Sequence, residues 1–241
     1  MGKEDSISTA DMLTLFHHPL CPHSRFVRLA LAEYKREVRL IEERTWERRQ
    51  DFLAMNPAGT TPVLLDKGLL PVPGAAIAAE YIDEIRGAKQ DDAGLLPRDP
   101  SSRVEVRRLM SWFNDKFFAE VSGPLVTERF FKRHKGVGAD GSAPDTEVIR
   151  AARHNIRHHL AYVGWLARTR DWLAGNRLSY ADLSAAAHLS AADYLGDVPW
   201  NEDETAKDWY ARVKSRPSFR SILAETVAGI RPSPTYADLD F

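Results

Sequence analysis

"NPAGTTPVL", residues 56–64, decides the fold, because it joins a loop to the first of two short β runs. Asn, Pro and Gly are typical of a turn, whereas the apolar residues that end the stretch begin a strand. The continuation "TTPVLLDKGLLPV" holds a second β run, separated from the first by the turn signal Asp66-Lys67-Gly68. "AAIAAEYIDEIR" follows as a helix. This part of the chain is therefore predicted to have the order β-β-α.

Upstream of this stretch, the sequence predicts a β-α-β order. "MLTLFHH", which starts at Met12, is a short apolar run with β character, and "CPHSRFVRLALAEYK" has apolar residues at helical spacing. "EVRLIEE" alternates apolar and polar residues, as a strand does. Together with the β-β-α part, these elements predict a thioredoxin-like α/β domain over residues 12–86.

The remainder of the chain is predicted to be an all-helical second domain, residues 101–228. The polar stretch "GAKQDDAGLLPRDP", residues 87–100, is interpreted as the linker between the domains. Gly123-Pro124 is expected to disturb the hydrogen-bond ladder of the first long helix. Helical periodicity predicts helices over Ser101 to Phe131, Asp145 to Ala167, Ser179 to Leu195, Glu204 to Ser215 and Ser218 to Ala228.

Size and charge place limits on the function. A chain of 241 residues is long enough for two domains, and its formal net charge of -1 favours neither nucleic acid nor an anionic membrane as a partner. No apolar run reaches the roughly 20 residues that span a bilayer, and we expect a cytoplasmic protein without membrane insertion. Residues 1–11 are polar and aperiodic, and we interpret them as a leader or an expression remnant.

The metal-binding potential of the sequence is low. A single cysteine, Cys21, excludes an internal disulfide and any site with several cysteines. His154 and His158 are four residues apart on one predicted helix, but Arg150, Arg153 and Arg157 share that stretch. A solvated basic helix face is favoured over a metal site, and no metal is expected.

Three motifs resemble the glutathione transferase superfamily over Met12 to Ala228. "NPAGTTPVL" is similar to the family's Asn-Pro-x-Gly-x-x-Pro-Val-Leu segment, and "CPHSRFVRLAL" to the loop and helix that hold its catalytic residue. "GNRLSYADL" is similar to the capping motif of a buried helix, with Ser179 as N-cap and Asp182 reaching back to it. The resemblance implies a cis Thr61-Pro62 bond whose Thr61 backbone faces the ligand peptide.

One part of the expected glutathione site departs from the family pattern. Family members usually hold the γ-glutamyl end with Glu-Ser-x-Ala-Ile at the start of the third helix, where this chain has "PGAAI" from Pro73 onward. Pro73 offers neither charge nor N–H, and Gly74 offers no hydroxyl. We interpret Thr61, Pro62, Pro73 and Gly74 as a vestigial ligand site, with a purely structural role for Pro73-Gly74 as the alternative.

Cys21 stands where some branches of the family have a catalytic cysteine. The functional interpretation is a nucleophile that forms a mixed disulfide with glutathione; the alternative is a small residue in a half-buried loop. Ser24 is either a hydrogen-bond donor to a thiolate or a structural residue. Trp46, which lies among charged residues, either packs beneath a helix or anchors a partner.

The tail, residues 229–241, offers a second type of site. Its prolines end helical structure, and its last residues alternate apolar and acidic side chains. Such a terminus either docks in a partner's groove or folds back over its own domain. The candidate partner-binding residues are Tyr236, Asp238, Leu239, Asp240 and Phe241.

"HHPLCPHSRFVRLAL" and "PTYADLDF" are similar to a subgroup of the family, the bacterial proteins of cell division that bind FtsZ filaments. The resemblance implies a non-enzymatic homodimeric adaptor at the division site, which bundles or curves filaments and regulates constriction, and which needs no cofactor. The alternative is a glutathione-dependent transferase or thiol reductase that uses Cys21.

Overall fold

We describe a computed structural model of the chain over residues 12–87, 94–134 and 143–239. Its four-stranded sheet has the order β2-β1-β3-β4, in which β1 is parallel to β2 and antiparallel to β3. This mixed pattern confirms the thioredoxin-like part of the predicted fold. The strands are β1 (Leu13–His17), β2 (Val38–Glu42), β3 (Val63–Leu65) and β4 (Val72–Pro73).

Within residues 12–87, three helices accompany the sheet, and apolar side chains cover both of its faces. Leu13 and Leu15 alternate along β1 and join the main core, whereas Phe16 packs on the opposite face with Phe52 and Val63. A 3₁₀ turn, Thr45–Glu47, follows β2. The helices are α1 (Pro22–Glu33), α2 (Gln50–Met55) and α3 (Ala75–Gly87).

The second half of the described chain is helical, which confirms the all-α part of the predicted fold. The helices are α4 (Pro100–Ser111), α5 (Gly123–Val126), α6 (Lys132–His134), α7 (Thr146–Thr169), α8 (Tyr180–Tyr194), α9 (Glu204–Lys214) and α10 (Arg220–Leu223). Two π-helical segments, Trp112–Ser122 and Thr127–Phe131, make α4, α5 and α6 one continuous rod. Short 3₁₀ turns lie at Trp200–Glu202 and Pro217–Phe219.

The rod changes its hydrogen-bonding pattern around Gly123-Pro124, as the sequence predicted. Pro124 has no N–H to donate, and widened turns lie on both sides of α5. Gly123 is required because a Cβ there would lie 2.7 Å from the carbonyl oxygen of Phe118. The rod consequently contains widened turns where it passes the N-terminal domain.

Helix α8 is buried along its whole length and is the centre of the helical domain. Its predicted capping box is present: the Ser179 side chain accepts from the Ala181 N–H, and Asp182 Oδ2 accepts from the Ser179 N–H at 3.0 Å. Asp182 Oδ1 also accepts from the N–H of Leu173 and from Trp209 Nε1. A carboxylate in the core is tolerated here because backbone and indole donors surround it.

The two halves of the molecule are joined through α1 and α8, which pack against each other. Arg216 holds Glu33 at the end of α1 with a bidentate pair of 2.6 and 2.8 Å. Tyr180, at the start of α8, donates to the Ala79 carbonyl of α3. These contacts fix the cleft between the halves, where the candidate site lies.

The predicted helix over Ser218 to Ala228 is wrong beyond its first turns. Helix α10 ends at Leu223, and Val227 then pairs with Ile230 across a turn in which Gly229 has φ +84°. The Val227 N–H donates to the hydroxyl of Tyr194 at 3.0 Å. This tertiary bond and the turn replace the helical bonds that the periodicity implied.

Candidate functional site

A cavity of about 430 Å³ lies between the sheet domain and the helical rod. Its volume falls in the range of small-molecule sites. The loop before α1, the segment before β3, the start of α3 and the rod all contribute to its wall. The lining residues used below are Cys21, His23, Thr61, Pro62, Gly74 and Asn114.

Thr61 and Pro62 lie in this cavity as the sequence predicted, and the peptide bond between them is cis. The Thr61 carbonyl oxygen lies 3.5 Å from Cys21 Sγ and accepts a hydrogen bond from the thiol. The motif around residue 61 and the cysteine loop are thus brought together, although forty residues separate them.

Cys21 precedes α1 as its N-cap residue, and Pro22 begins the helix. Burial would raise the pKa of the thiol, but hydrogen bonding and charge from His23, with a further hydrogen bond from Ser24, lower it from 9.0 to about 7. Burial disfavours protonated His23, yet the same pairing with Cys21 and a bond to Asn114 raise the histidine's pKa. A thiol with a pKa near 7 is partly ionised at neutral pH, and the thiolate is its nucleophilic form.

A series of hydrogen bonds connects His23 to the interior of the helical domain. His23 Nε2 donates to the carbonyl oxygen of Asn114 at 2.9 Å, and His188 Nε2 donates to Asn114 Oδ1 at 3.1 Å. Ser122 donates to His188 Nδ1 at 2.8 Å, and burial keeps the pKa of His188 well below its usual value. Sequence reasoning missed Asn114, Ser122 and His188, because they belong to no short motif.

The start of α3 forms one side of the cavity. Gly74 through Ile77 line the cavity, whereas Pro73 ends β4 and pairs with Val63. Pro73 thus lies at the edge of the sheet, directly before the lining residue Gly74, and its part in the vestigial site stays a prediction. Gly74 has φ +88°, and no heavy atom lies within 4 Å of a Cβ built on it. The four lining residues carry neither carboxylate nor hydroxyl.

The tail contradicts one candidate partner residue. Tyr236 is fully buried: its hydroxyl accepts from Arg25 Nη1 at 3.0 Å and donates to the Ile222 carbonyl at 3.2 Å. Arg25 is itself fully buried in α1 and also donates to Ser190. The alternative of a tail that folds back is therefore correct for Tyr236, whose side chain is not available to a partner.

Two later tail residues are accessible. Asp238 and Leu239 are exposed, and Lys214 Nζ donates to the carbonyl oxygens of Thr235 at 3.2 Å and Asp238 at 2.6 Å. A buried lysine thus holds the backbone of the tail while these two side chains face solvent. Asp240 and Phe241, also predicted to bind a partner, lie outside the described residues.

Trp46 and the histidine pair on α7 are the remaining candidates from the sequence. Trp46 packs against an aromatic cluster formed by His18, Phe130, Phe131 and His134, which agrees with the packing interpretation. The rings of His154 and His158 lie 5.3 Å apart on an exposed face. Within residues 12–87, 94–134 and 143–239, no group of acidic, histidine or cysteine side chains has metal-site geometry.

Comparison with family models decides the family. Residues 20–85 match the N-terminal domain of glutathione S-transferase, and residues 118–217 match its C-terminal domain. The chain belongs to the glutathione S-transferase family. Among the described segments, no helix of this family member is long and apolar enough to span a bilayer.

Relatives within the glutathione S-transferase family align over nearly the whole chain. FtsZ-localized protein A of Caulobacter vibrioides is 46% identical over 95% of this chain and 98% of its own. The structure of FzlA from C. crescentus has a TM-score of 0.87 at 44% identity and covers 95% of this chain and 100% of that one. A glutathione S-transferase structure from Sinorhizobium meliloti reaches a TM-score of 0.93 at 53% identity, with the same coverage.

Proposed function

We propose that this protein is a non-enzymatic adaptor that binds FtsZ filaments and takes part in bacterial cell division. The observation that carries the proposal is the 46% identity to FtsZ-localized protein A over 95% of the chain. The alignment includes both halves of the fold. The proposed place of action is the cytoplasmic face of the division site.

The start of α3 lacks polar side chains, which supports a role other than tight glutathione binding. The residues there, Gly74 to Ile77, supply neither the charge nor the hydroxyl that family members use for the γ-glutamyl end. Loss of one charge-assisted and one neutral hydrogen bond removes about 2 to 4 kcal/mol. Such a loss corresponds to roughly a hundredfold in affinity.

The end of the tail is the proposed filament contact. Lys214 fixes its backbone, so that Asp238 and Leu239 present an acidic and an apolar side chain at little entropic cost. We include Asp240 and Phe241 in this contact on the basis of their sequence alone.

We further propose that the chain acts as a homodimer. Two equivalent tails related by a two-fold axis link neighbouring filaments, which bundles or curves them. The repeated sites of a polymer add avidity even when each contact is weak. No small-molecule cofactor takes part in this role.

Co-sedimentation with FtsZ tests the proposal. With GTP-assembled FtsZ, the intact chain is expected in the pellet, and with GDP it is expected in the supernatant. Asp238→Lys reverses a charge at the contact and should lower the pelleted fraction, and Asp238→Asn should have a smaller effect. Asp208→Lys on the exposed face of α9 is the matched control. Equal supernatant fractions of the intact chain with GTP and GDP would reject the adaptor function.

A second candidate function is a glutathione-dependent transferase or thiol reductase. The observation in its favour is Cys21, whose thiol has a pKa of about 7 and faces the cavity. It requires a rise in melting temperature with millimolar glutathione and turnover that Cys21→Ala abolishes. A melting temperature that ignores glutathione, together with absent turnover, excludes this function.

A further inference from the structure

Strand β2 lies at one end of the sheet and has an open edge. Among the described strands, β1 is its one neighbour in the order β2-β1-β3-β4. The strand at the other end, β4, has two residues and includes Pro73, which has no N–H to donate. Strand β2 has five residues and no proline. Of the two ends of the sheet, β2 is therefore the one on which a further strand can form.

The direction of the backbone groups identifies the residues that face this open edge. The Glu43 N–H, which comes directly after β2, donates to the His17 carbonyl of β1 at 2.8 Å. Backbone groups alternate in direction along a strand, so the even-numbered residues of β2 face away from β1. No hydrogen bond from the described residues reaches the outward N–H and C=O groups of Val38, Leu40 and Glu42. These groups are available to the main chain of a partner.

Side chains on both faces of this edge are exposed to solvent. Leu40 is 41% exposed, although it lies on the same face of the strand as Val38, which packs against the main core. Arg39 is exposed on the opposite face. A strand that pairs with β2 would cover the Leu40 side chain and satisfy the outward backbone groups at the same time.

The surface around the edge has an excess of positive charge. Residues 35–49 carry six Lys and Arg side chains and four Glu side chains. Arg44 and Arg49 form ion pairs with neighbouring glutamates, and Glu37 is the glutamate outside these pairs. The exposed cations of this stretch that form no ion pair with described residues are Lys35, Arg36, Arg39 and Arg48. Their charge favours a partner segment that is acidic.

We propose that the open edge of β2 binds an extended acidic segment of a partner protein as an added strand. The main chain of the segment pairs with Val38, Leu40 and Glu42. On one face an apolar side chain of the segment lies beside Leu40, and on the other face an acidic side chain lies beside Arg39. A segment in which acidic and apolar residues alternate meets both requirements. This surface shares no residue with the tail, so the interaction goes beyond the proposed filament contact, and it involves no catalysis.

The test uses the full chain and a short fluorescein-labelled peptide of alternating aspartate and valine. Fluorescence anisotropy should rise to saturation as the chain is added, and the affinity should fall at high salt, because the attraction between exposed charges is screened. A peptide with lysine in place of aspartate should not bind. The aspartate peptide with all its amide nitrogens methylated keeps its charge but has no N–H donor, and it should not bind either. Equal binding of the methylated and unmethylated peptides would overturn the proposal.

Leu40→Pro removes an outward N–H while the hydrogen bonds between β1 and β2 remain, because the Leu40 N–H points away from β1. Leu40→Ala is the matched control, since it also lacks the leucine side chain but keeps the N–H. The proline variant should bind the aspartate peptide about tenfold more weakly than the alanine variant, because a carbonyl of the peptide then has no donor. Equal affinities of the two variants would refute pairing through the main chain.

Charge reversal is the second test, for the case in which the proline variant does not fold. Arg36→Glu combined with Arg39→Glu should weaken binding of the aspartate peptide by about tenfold. Arg177→Glu, an exposed position in the helical half, is the control and should leave the affinity unchanged. Equal affinities of the double variant and the unchanged chain would contradict the proposal. Sedimentation in which Leu40→Pro dissociates an oligomer while peptide binding stays intact would also overturn it, because the edge would then pair with a second copy.

Discussion

Replacement of Tyr236 by phenylalanine distinguishes a structural role of the tail from a contact with a partner. The hydroxyl makes two buried hydrogen bonds, to Arg25 and to the Ile222 carbonyl. Arg25 Nη1 keeps Ser190 as an acceptor after the change, whereas the Ile222 carbonyl loses this donor. Two lost bonds, one of which leaves an acceptor unsatisfied, correspond to about 1 to 3 kcal/mol. The ring stays against Tyr194, so packing is preserved.

Thermal unfolding measures this loss. For a chain of this size, 1 kcal/mol corresponds to about 2 to 4 °C, so Tyr236→Phe should melt about 2 to 12 °C lower. Below its melting temperature, the variant should pellet with FtsZ filaments as the unchanged chain does. An unchanged melting temperature with reduced pelleting would refute the reasoning, because it would assign the hydroxyl to a partner.

Two further predictions concern the centre of the helical domain and the cysteine. Asp182→Ala leaves the N–H groups of Leu173 and Ser179 and the Trp209 indole without their acceptor, and should lower the free energy of unfolding by about 4 kcal/mol or more. Urea unfolding measures this, and a loss below about 1 kcal/mol would contradict it. The rate of Cys21 alkylation by iodoacetamide should rise with pH, with a midpoint near 7, because the lowered pKa makes the thiolate available there. A midpoint near the ordinary thiol value of 9.0 would show that His23 does not stabilise the thiolate.

Local motifs made much of the fold predictable. The capping box of α8 spans four consecutive residues, and its side chains bond to nearby backbone whatever the rest of the chain does. The strand and helix order of the N-terminal half follows from periodicity and turn residues in the same way. The periodicity of Ser218 to Ala228 predicted a helix that is too long. The Val227 N–H bonds instead to the hydroxyl of Tyr194, which lies thirty-three residues earlier.

The hydrogen bonds behind the cavity wall could not be predicted from the sequence. Asn114 meets His188 across 74 residues, and Ser122 meets it across 66, without any motif that relates them. The burial of Tyr236 depends on Arg25, which lies 211 residues away in the other half of the molecule. An arginine in the first turn of a helix predicts a solvent-exposed side chain, and tertiary packing alone reverses that expectation.

The most direct test of the central claim is one co-sedimentation series with GTP-assembled FtsZ, in which this protein is titrated with and without millimolar glutathione. The account predicts saturable pelleting that glutathione leaves unchanged, and a melting temperature that glutathione does not raise. The opposite result, absence from the pellet together with a melting temperature that rises with glutathione, would contradict the adaptor function and support the transferase.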